Sequence, residues 1–291
     1  MNTHAPAALP DAVSGDGRRA LARFNASAAM LLLVAGGMVT STASGLAVPD
    51  WPLSYGSWLP SMVGGIFFEH GHRMLATLVG FTILVMAVWT QWKEPRAGVR
   101  KLAWWTLFAV ILQGVLGGVT VLFGLPVWVS AAHATLGQSV FCALVVTADL
   151  TGEPAPRAAS APSASLRRMG LAAVAALWTQ LVLGAVLRHG GAGIRWHLMG
   201  AAVAAPLAGW FGARALLERR EPELARPAGA LLLLLGVQLV LGLATADFRT
   251  YPDPRADYAM IGTATTHLAV GALLLGVAVL LTFRLFRLRE D

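Results

Sequence analysis

The sequence predicts an all-α membrane protein: eight transmembrane helices arranged as two pseudo-symmetric four-helix bundles. Three observations predict it. Hydrophobic residues make up 56% of the 291 and charged residues 13%, with a mean hydropathy of +0.65; a soluble domain carries about twice that charged fraction. The apolar residues fall into blocks of about 20, the length a helix needs to cross a bilayer. One histidine opens each even-numbered block: His72, His133, His197 and His267.

Taken in order, residues 1–22, rich in Ala, Pro, Gly and Asp, predict a disordered cytoplasmic tail without the apolar core of a signal peptide. An N-terminal bundle is expected over 23–150, with spans near 25–46, 72–92, 102–123 and 131–150. A cytoplasmic linker covers 151–167. A C-terminal bundle is expected over 168–285, with spans near 169–188, 196–216, 228–246 and 263–283. Residues 286–291 form a short cytoplasmic tail. The connections carry the helix breakers Pro95, Pro126, Pro222, Pro252 and Pro254 and the stretch from Gly152 to Ser165.

The net charge of +7 is not a nucleic-acid signal, because the basic residues are sorted by side of the membrane. Arg18, Arg19 and Arg23 precede the first span. Lys93, Arg96, Arg100 and Lys101 join spans two and three. Arg157, Arg167 and Arg168 join four and five. Arg214, Arg219, Arg220 and Arg226 join six and seven, and Arg284, Arg287 and Arg289 follow the last. Of the 22 basic residues, only Arg73, Arg188, Arg195, Arg249 and Arg255 fall on the opposite side. The positive-inside rule therefore expects both termini in the cytoplasm, with the lipid bilayer as the main partner. The single cysteine, Cys142, lies inside a span and reads as a small packing residue.

The chain repeats itself. Gln113-Gly114-Val115-Leu116-Gly117 in the third span and Gln238-Leu239-Val240-Leu241-Gly242 in the seventh share Gln-x-Val-Leu-Gly, as does Gln180-x-Val-Leu-Gly184 in the fifth. His72 and His197 are separated by the same interval as Gln113 and Gln238. His133 and His267 each begin His-x-x-x-Gly, ending at Gly137 and Gly271, and the longer interval between them fits a longer loop around Asp247–Tyr258. A parallel duplication of a four-helix unit accounts for this.

Helices two, four, six and eight all run inward, so the four histidines sit near the outer ends. Ionisable residues in membrane helices rarely lack a function. Two imidazoles per bundle suit two metal centres with two axial ligands each, and in a hydrophobic bundle such pairs most often hold heme iron. Small residues beside them, Gly114, Gly117, Gly118, Gly184, Gly242 and Gly271, let a flat macrocycle or a neighbouring helix come close. Glu69-His70-Gly71-His72-Arg73 is the densest polar cluster. Glu69 and His72 share a helix face, which suits a carboxylate handling protons beside a ligand imidazole. His70 points away and reads as a spectator, His189 as exposed, and His4 as part of the tail. Arg73, Arg188, Arg195 and Arg249 are candidates for binding heme propionates, since Arg holds carboxylates bidentately.

The residues also resemble a known family. Ser44-Gly45-Leu46-Ala47-Val48-Pro49-Asp50-Trp51-Pro52-Leu53-Ser54-Tyr55-Gly56, then Glu69-x-x-His72-Arg73, Gln113-x-x-Leu116-Gly117, His133-x-x-x-Gly137-Gln138 and the later His197 and His267 resemble heme A synthase. The resemblance implies two four-helix bundles and oxidation of a methyl group of heme O to a formyl group, giving heme A for cytochrome oxidase. Two successive hydroxylations are implied. It implies a heme B held by His197 and His267 in the C-terminal half, to which the reading of the residues adds Arg195 and Arg249 as propionate candidates. His72 and His133 would face the substrate heme O, and Glu69 would be the catalytic acid. Partners implied are heme O, its synthase, an electron donor and a bacterial cytoplasmic membrane; a homo-oligomer is compatible. Some members carry a cysteine pair in the first outer loop, where this chain has Val48 and Ser54, so no thiol chemistry is available there. The alternatives that the residues leave open are a diheme electron-transfer cytochrome, a transporter built from parallel repeats and a structural role in oxidase assembly. Span centres nearly free of charge disfavour the transporter.

Overall fold

The computed structural model describes residues 12–152, 157–158, 162–191, 193–218, 222–250 and 257–290. Eight helices account for most of them: α1 (Ala12–Ser41), α2 (Gly64–Lys93), α3 (Ala97–Leu122), α4 (Val127–Leu150), α5 (Ala164–Arg188), α6 (Ile194–Glu218), α7 (Pro222–Thr250) and α8 (Asp257–Arg287). All eight are long and apolar enough to cross a membrane. The extended segments are Arg157–Ala158 (β1) and Arg289–Glu290 (β2), which pair in parallel.

Helix packing follows chain order. α1 packs on α2 and α4, and α3 on α2 and α4, closing a ring of four. α5 packs on α6 and α8, and α7 on α6 and α8, closing a second ring. The rings meet through α1–α8, α4–α5 and α4–α8. The buried surfaces are rich in alanine, including Ala87, Ala103, Ala173, Ala204, Ala208 and Ala278, which allows the close helix approach that membrane bundles use. Exposed tryptophans collect near both ends: Trp92 and Trp105 at one, Trp58, Trp128 and Trp196 at the other. Tryptophan belts of this kind sit at the two membrane–water interfaces.

Several helices begin earlier than the apolar blocks suggest. α1 starts at Ala12, so residues 12–22, expected as disordered tail, are helical; Arg18 reaches Glu94 at 3.0 Å. Residues 1–11, with His4, lie outside the described residues. α2 starts eight residues before His72, because Glu69 and Arg73 satisfy each other and the polar cluster can enter the helix. The stretch expected as a loop over Asp247–Tyr258 is helix at both ends: α7 runs to Thr250 and α8 starts at Asp257, with 251–256 outside the described residues. The histidines therefore lie inside their helices rather than opening them. Much of the linker 151–167 also lies outside the described residues.

At the end of the molecule away from the histidines, acids clasp the bases. Glu94, only 4% exposed, accepts from Arg96 Nε at 2.6 Å and from Arg18, while Arg100 donates to its carbonyl at 2.7 Å. Asp149 on α4 accepts from Arg284 at 2.7 Å and Arg287 at 2.9 Å on α8, joining the two rings.

The Arg96 side-chain hydrogen bond, partly opposed by burial, holds the Glu94 carboxyl below its ordinary value of 4.5. A group depressed on folding stabilises the protein above its unfolded pKa and loses that contribution as pH falls through the folded value. Glu94→Gln is therefore expected to lower the denaturation temperature of the detergent-solubilised protein at pH 7. The gap to wild type should close as pH falls below the ordinary carboxylate range. An unchanged gap at low pH would mean that charge is not what Glu94 contributes.

Candidate heme-binding site

Each of the four histidines lies against a glycine on the preceding helix. A Cβ placed on Gly36 of α1 would stand 3.0 Å from His72 Cε1. The same atom on Gly117 of α3 would be 3.2 Å from His133, on Gly184 of α5 3.0 Å from His197, and on Gly242 of α7 3.1 Å from His267. Any side chain there would push the ring away. The sequence marked three of these glycines; Gly36, which has no glutamine four residues before it, was missed.

In the C-terminal ring of helices, the imidazoles of His197 and His267 face each other, with centroids 6.3 Å apart and planes at 76°. An iron about 2.0 Å from a nitrogen of each ring would place the centroids roughly 6 Å apart. The pair therefore has the spacing of two axial ligands with one metal between them. In the N-terminal ring, His72 sits against Gly36 and His133 against Gly117. His133 Nδ1 lies 3.1 Å from the Gln113 carbonyl, which leaves Nε2 as the ligating atom. Among the described residues no group of three or more His, Cys, Asp or Glu forms a metal cluster. Two imidazoles alone leave an iron four donors short, and a porphyrin supplies four in a plane. The donor set thus fits heme.

The N-terminal ring carries a further structure that has no counterpart among the described residues of the C-terminal one. The segment from Ser44 to Val63 folds back over the α2 end and is held there by the polar cluster. Glu69 is 4% exposed; its Oε2 accepts from the Val48 N–H at 2.8 Å and its Oε1 from Arg73 at 2.5 Å. Arg73 also donates to the carbonyls of Asp50 (2.8 Å) and Leu53 (2.7 Å). Asp50 accepts from the N–H groups of Tyr55 (2.6 Å) and Gly56 (2.8 Å), and the Gly56 bond foremost lowers its pKa. Trp51 lies over Gly118, where a Cβ would meet the indole at 2.7 Å; Gly117 beside it holds His133. The loop thus roofs the His133 side of the site. In α7 the residue after Gly242 is Leu243, which is exposed.

Several sequence expectations change here. His70 is not a spectator: it is buried, its Nδ1 is 2.7 Å from Ser54 Oγ, and its Nε2 is buried without a partner. It does point away from His72, but toward the folded-back loop instead of solvent. Arg73 is committed to Glu69 and the loop rather than open to a propionate. Arg188 donates to the Gly37 carbonyl at 2.9 Å and to Ser41 Oγ at 2.6 Å, joining α5 to α1. Arg195 is exposed and stacks on Trp196 at 5.7 Å. The Arg249 side chain lies outside the described residues. His189 is half-buried rather than exposed, and burial, with Arg188 nearby, lowers its pKa.

Known proteins resemble this chain in sequence. The sequence model of a family described as "Cytochrome oxidase assembly protein" matches residues 61–197. A heme A synthase of Symbiobacterium thermophilum is 33% identical over 261 residues, covering 77% of this chain and 84% of the relative. A heme A synthase of Methylobacterium nodulans is 29% identical over 305 residues, covering 87% and 82%. One from Shouchella clausii is 30% identical over 167 residues, 55% of each chain. With the eight apolar helices and the paired histidines already described, the chain belongs to the heme A synthase family.

Proposed function

We propose that this chain is an oxidoreductase of the bacterial cytoplasmic membrane that converts a methyl group of heme O to the formyl group of heme A, for use in cytochrome oxidase. The observation that carries the reading is the 6.3 Å facing pair of His197 and His267, within a chain of this family. In this reading a heme B in the C-terminal half supplies one-electron transfer when bound, its potential set by its two imidazoles and their surroundings. His197 and His267 hold it, and Arg195 and Arg249, assigned by the sequence to the same side of the membrane as these histidines, are the candidates for its propionates. His72 and His133 take the substrate heme O. The roof from Ser44 to Val63, held by Glu69 and Arg73, excludes water from that side. A roofed site suits a substrate undergoing oxidation better than it suits the alternative, a diheme cytochrome that only passes electrons. Its partners are then a heme O synthase, an electron donor and the bilayer, with both termini cytoplasmic.

The reading predicts heme A among the pigments extracted after co-expression with a heme O supply, identified by mass. Only heme O and heme B in the extract would overturn it. Glu69→Gln should keep the fold and the resident heme, because an amide retains one acceptor for the loop. Product per resident heme should fall about 10²–10⁴-fold, the usual loss when an acid–base group is removed. Wild-type conversion would reduce Glu69 to a fastening for the loop. On a Cys142→Ala background, single cysteines in the connections near Asp50, Leu125, Gly190 and Asp253 should react with an impermeant reagent in intact cells. Labelling of position 190 only after lysis would invert the orientation.

A further inference from the structure

Three of the four histidines share a second neighbour. Gln113, four residues before Gly117, donates from Nε2 to the His133 carbonyl at 2.7 Å. Gln180, four before Gly184, donates to the His197 carbonyl at 2.9 Å and lies 3.0 Å from its Nδ1. Gln238, four before Gly242, lies 3.3 Å from His267 Nε2. Each amide crosses the helix interface through a gap left by a glycine about one turn beyond the histidine. A Cβ at Gly137 would stand 3.0 Å from Gln113 Nε2, at Gly271 3.0 Å from Gln238 Nε2, and at Gly200 it would collide with Gln180.

The first site lacks both parts. Four residues before Gly36 stands Leu32, and four after His72 stands Ala76. Among the described residues no side chain hydrogen-bonds to His72, whereas His267, whose Nδ1 is likewise buried without a partner, has Gln238 at its Nε2. The amide oxygens of Gln113, Gln180 and Gln238 are also buried without partners. Buried unsatisfied carbonyls are costly and uncommon.

We propose that Gln113, Gln180 and Gln238 are positioning residues that hold His133, His197 and His267 ready to ligate heme iron, and that His72, which has no such partner, is the exchangeable ligand through which the N-terminal site accepts substrate heme and releases product. The proposal rests on the heme reading above. It gives a physical reason for a division of labour between the halves: two ligands braced by glutamine retain a heme, whereas one braced ligand and one without a glutamine let it exchange.

The test uses the full-length protein in detergent, with apomyoglobin as heme acceptor. Gln180→Leu and Gln238→Leu should each speed the transfer of resident heme about tenfold, the scale of one hydrogen bond lost at a ligand. The low-spin electronic spectrum should shift, which a merely structural role would not cause. Leu32→Gln with Ala76→Gly adds the missing clamp, so it does not depend on a weakened protein folding. It should raise heme retained per chain from about one toward about two and slow product release. Wild-type transfer rates and spectra in both leucine variants, or unchanged retention in the double variant, would overturn the clamp while leaving the heme reading intact. Absence of low-spin heme from the wild-type protein would overturn both.

Discussion

The contact on which the rest of the site depends is an imidazole lying on a bare glycine of the preceding helix. It occurs four times, at Gly36, Gly117, Gly184 and Gly242, with virtual Cβ distances of 3.0–3.2 Å. One methyl group at any of them would require the ring to give way by a few tenths of an ångström. The glycines set the depth of each histidine in its ring of helices. That depth brings His197 and His267 to 6.3 Å. In a bilayer, where lipid tails solvate apolar side chains as well as a protein core does, such close contacts supply much of the packing energy between helices. The same residues therefore shape both the fold and the site.

Around this repeated unit, the two halves differ in what covers them. The N-terminal site is roofed by a loop fastened at buried charges. Glu69 and Arg73 form an ion pair one helical turn apart, and both also hold the loop backbone. A buried ion pair is weak evidence of net stabilisation but strong evidence of a fixed geometry, since removing either partner strands the other. The roof places Trp51 over Gly118, next to the glycine that seats His133. Chemistry on a bound macrocycle needs an enclosed pocket, and this half has the means of enclosing one.

The spans and the four histidines were legible because a bilayer imposes length, and because imidazole in an apolar helix stands out from its surroundings. Helix starts were less legible. The apolar block of the second span begins near residue 72, yet α2 starts at Gly64, because the polar residues at 69–73 find partners on the folded-back segment. His70 shows the same limit: its direction followed from helical geometry, but that direction met Ser54 instead of water. Arg73 and Arg188 read as candidates for binding propionates; Arg73 binds the Glu69 carboxylate and two loop carbonyls, and Arg188 binds the Gly37 carbonyl and Ser41. The Gln-x-Val-Leu-Gly repeat was visible as a repeat; its role needed the facing helix, where Gly137, Gly200 and Gly271 make room for the amide.

The most direct test of paired histidine ligation is low-temperature electron paramagnetic resonance of the oxidised, purified protein. Imidazole planes at 76° leave two iron d orbitals almost equal in energy. The result predicted is a strongly anisotropic low-spin ferric signal that disappears in His197→Ala and in His267→Ala and survives in His72→Ala. A high-spin signal in the wild-type protein, or a low-spin signal that survives both C-terminal substitutions, would contradict the account.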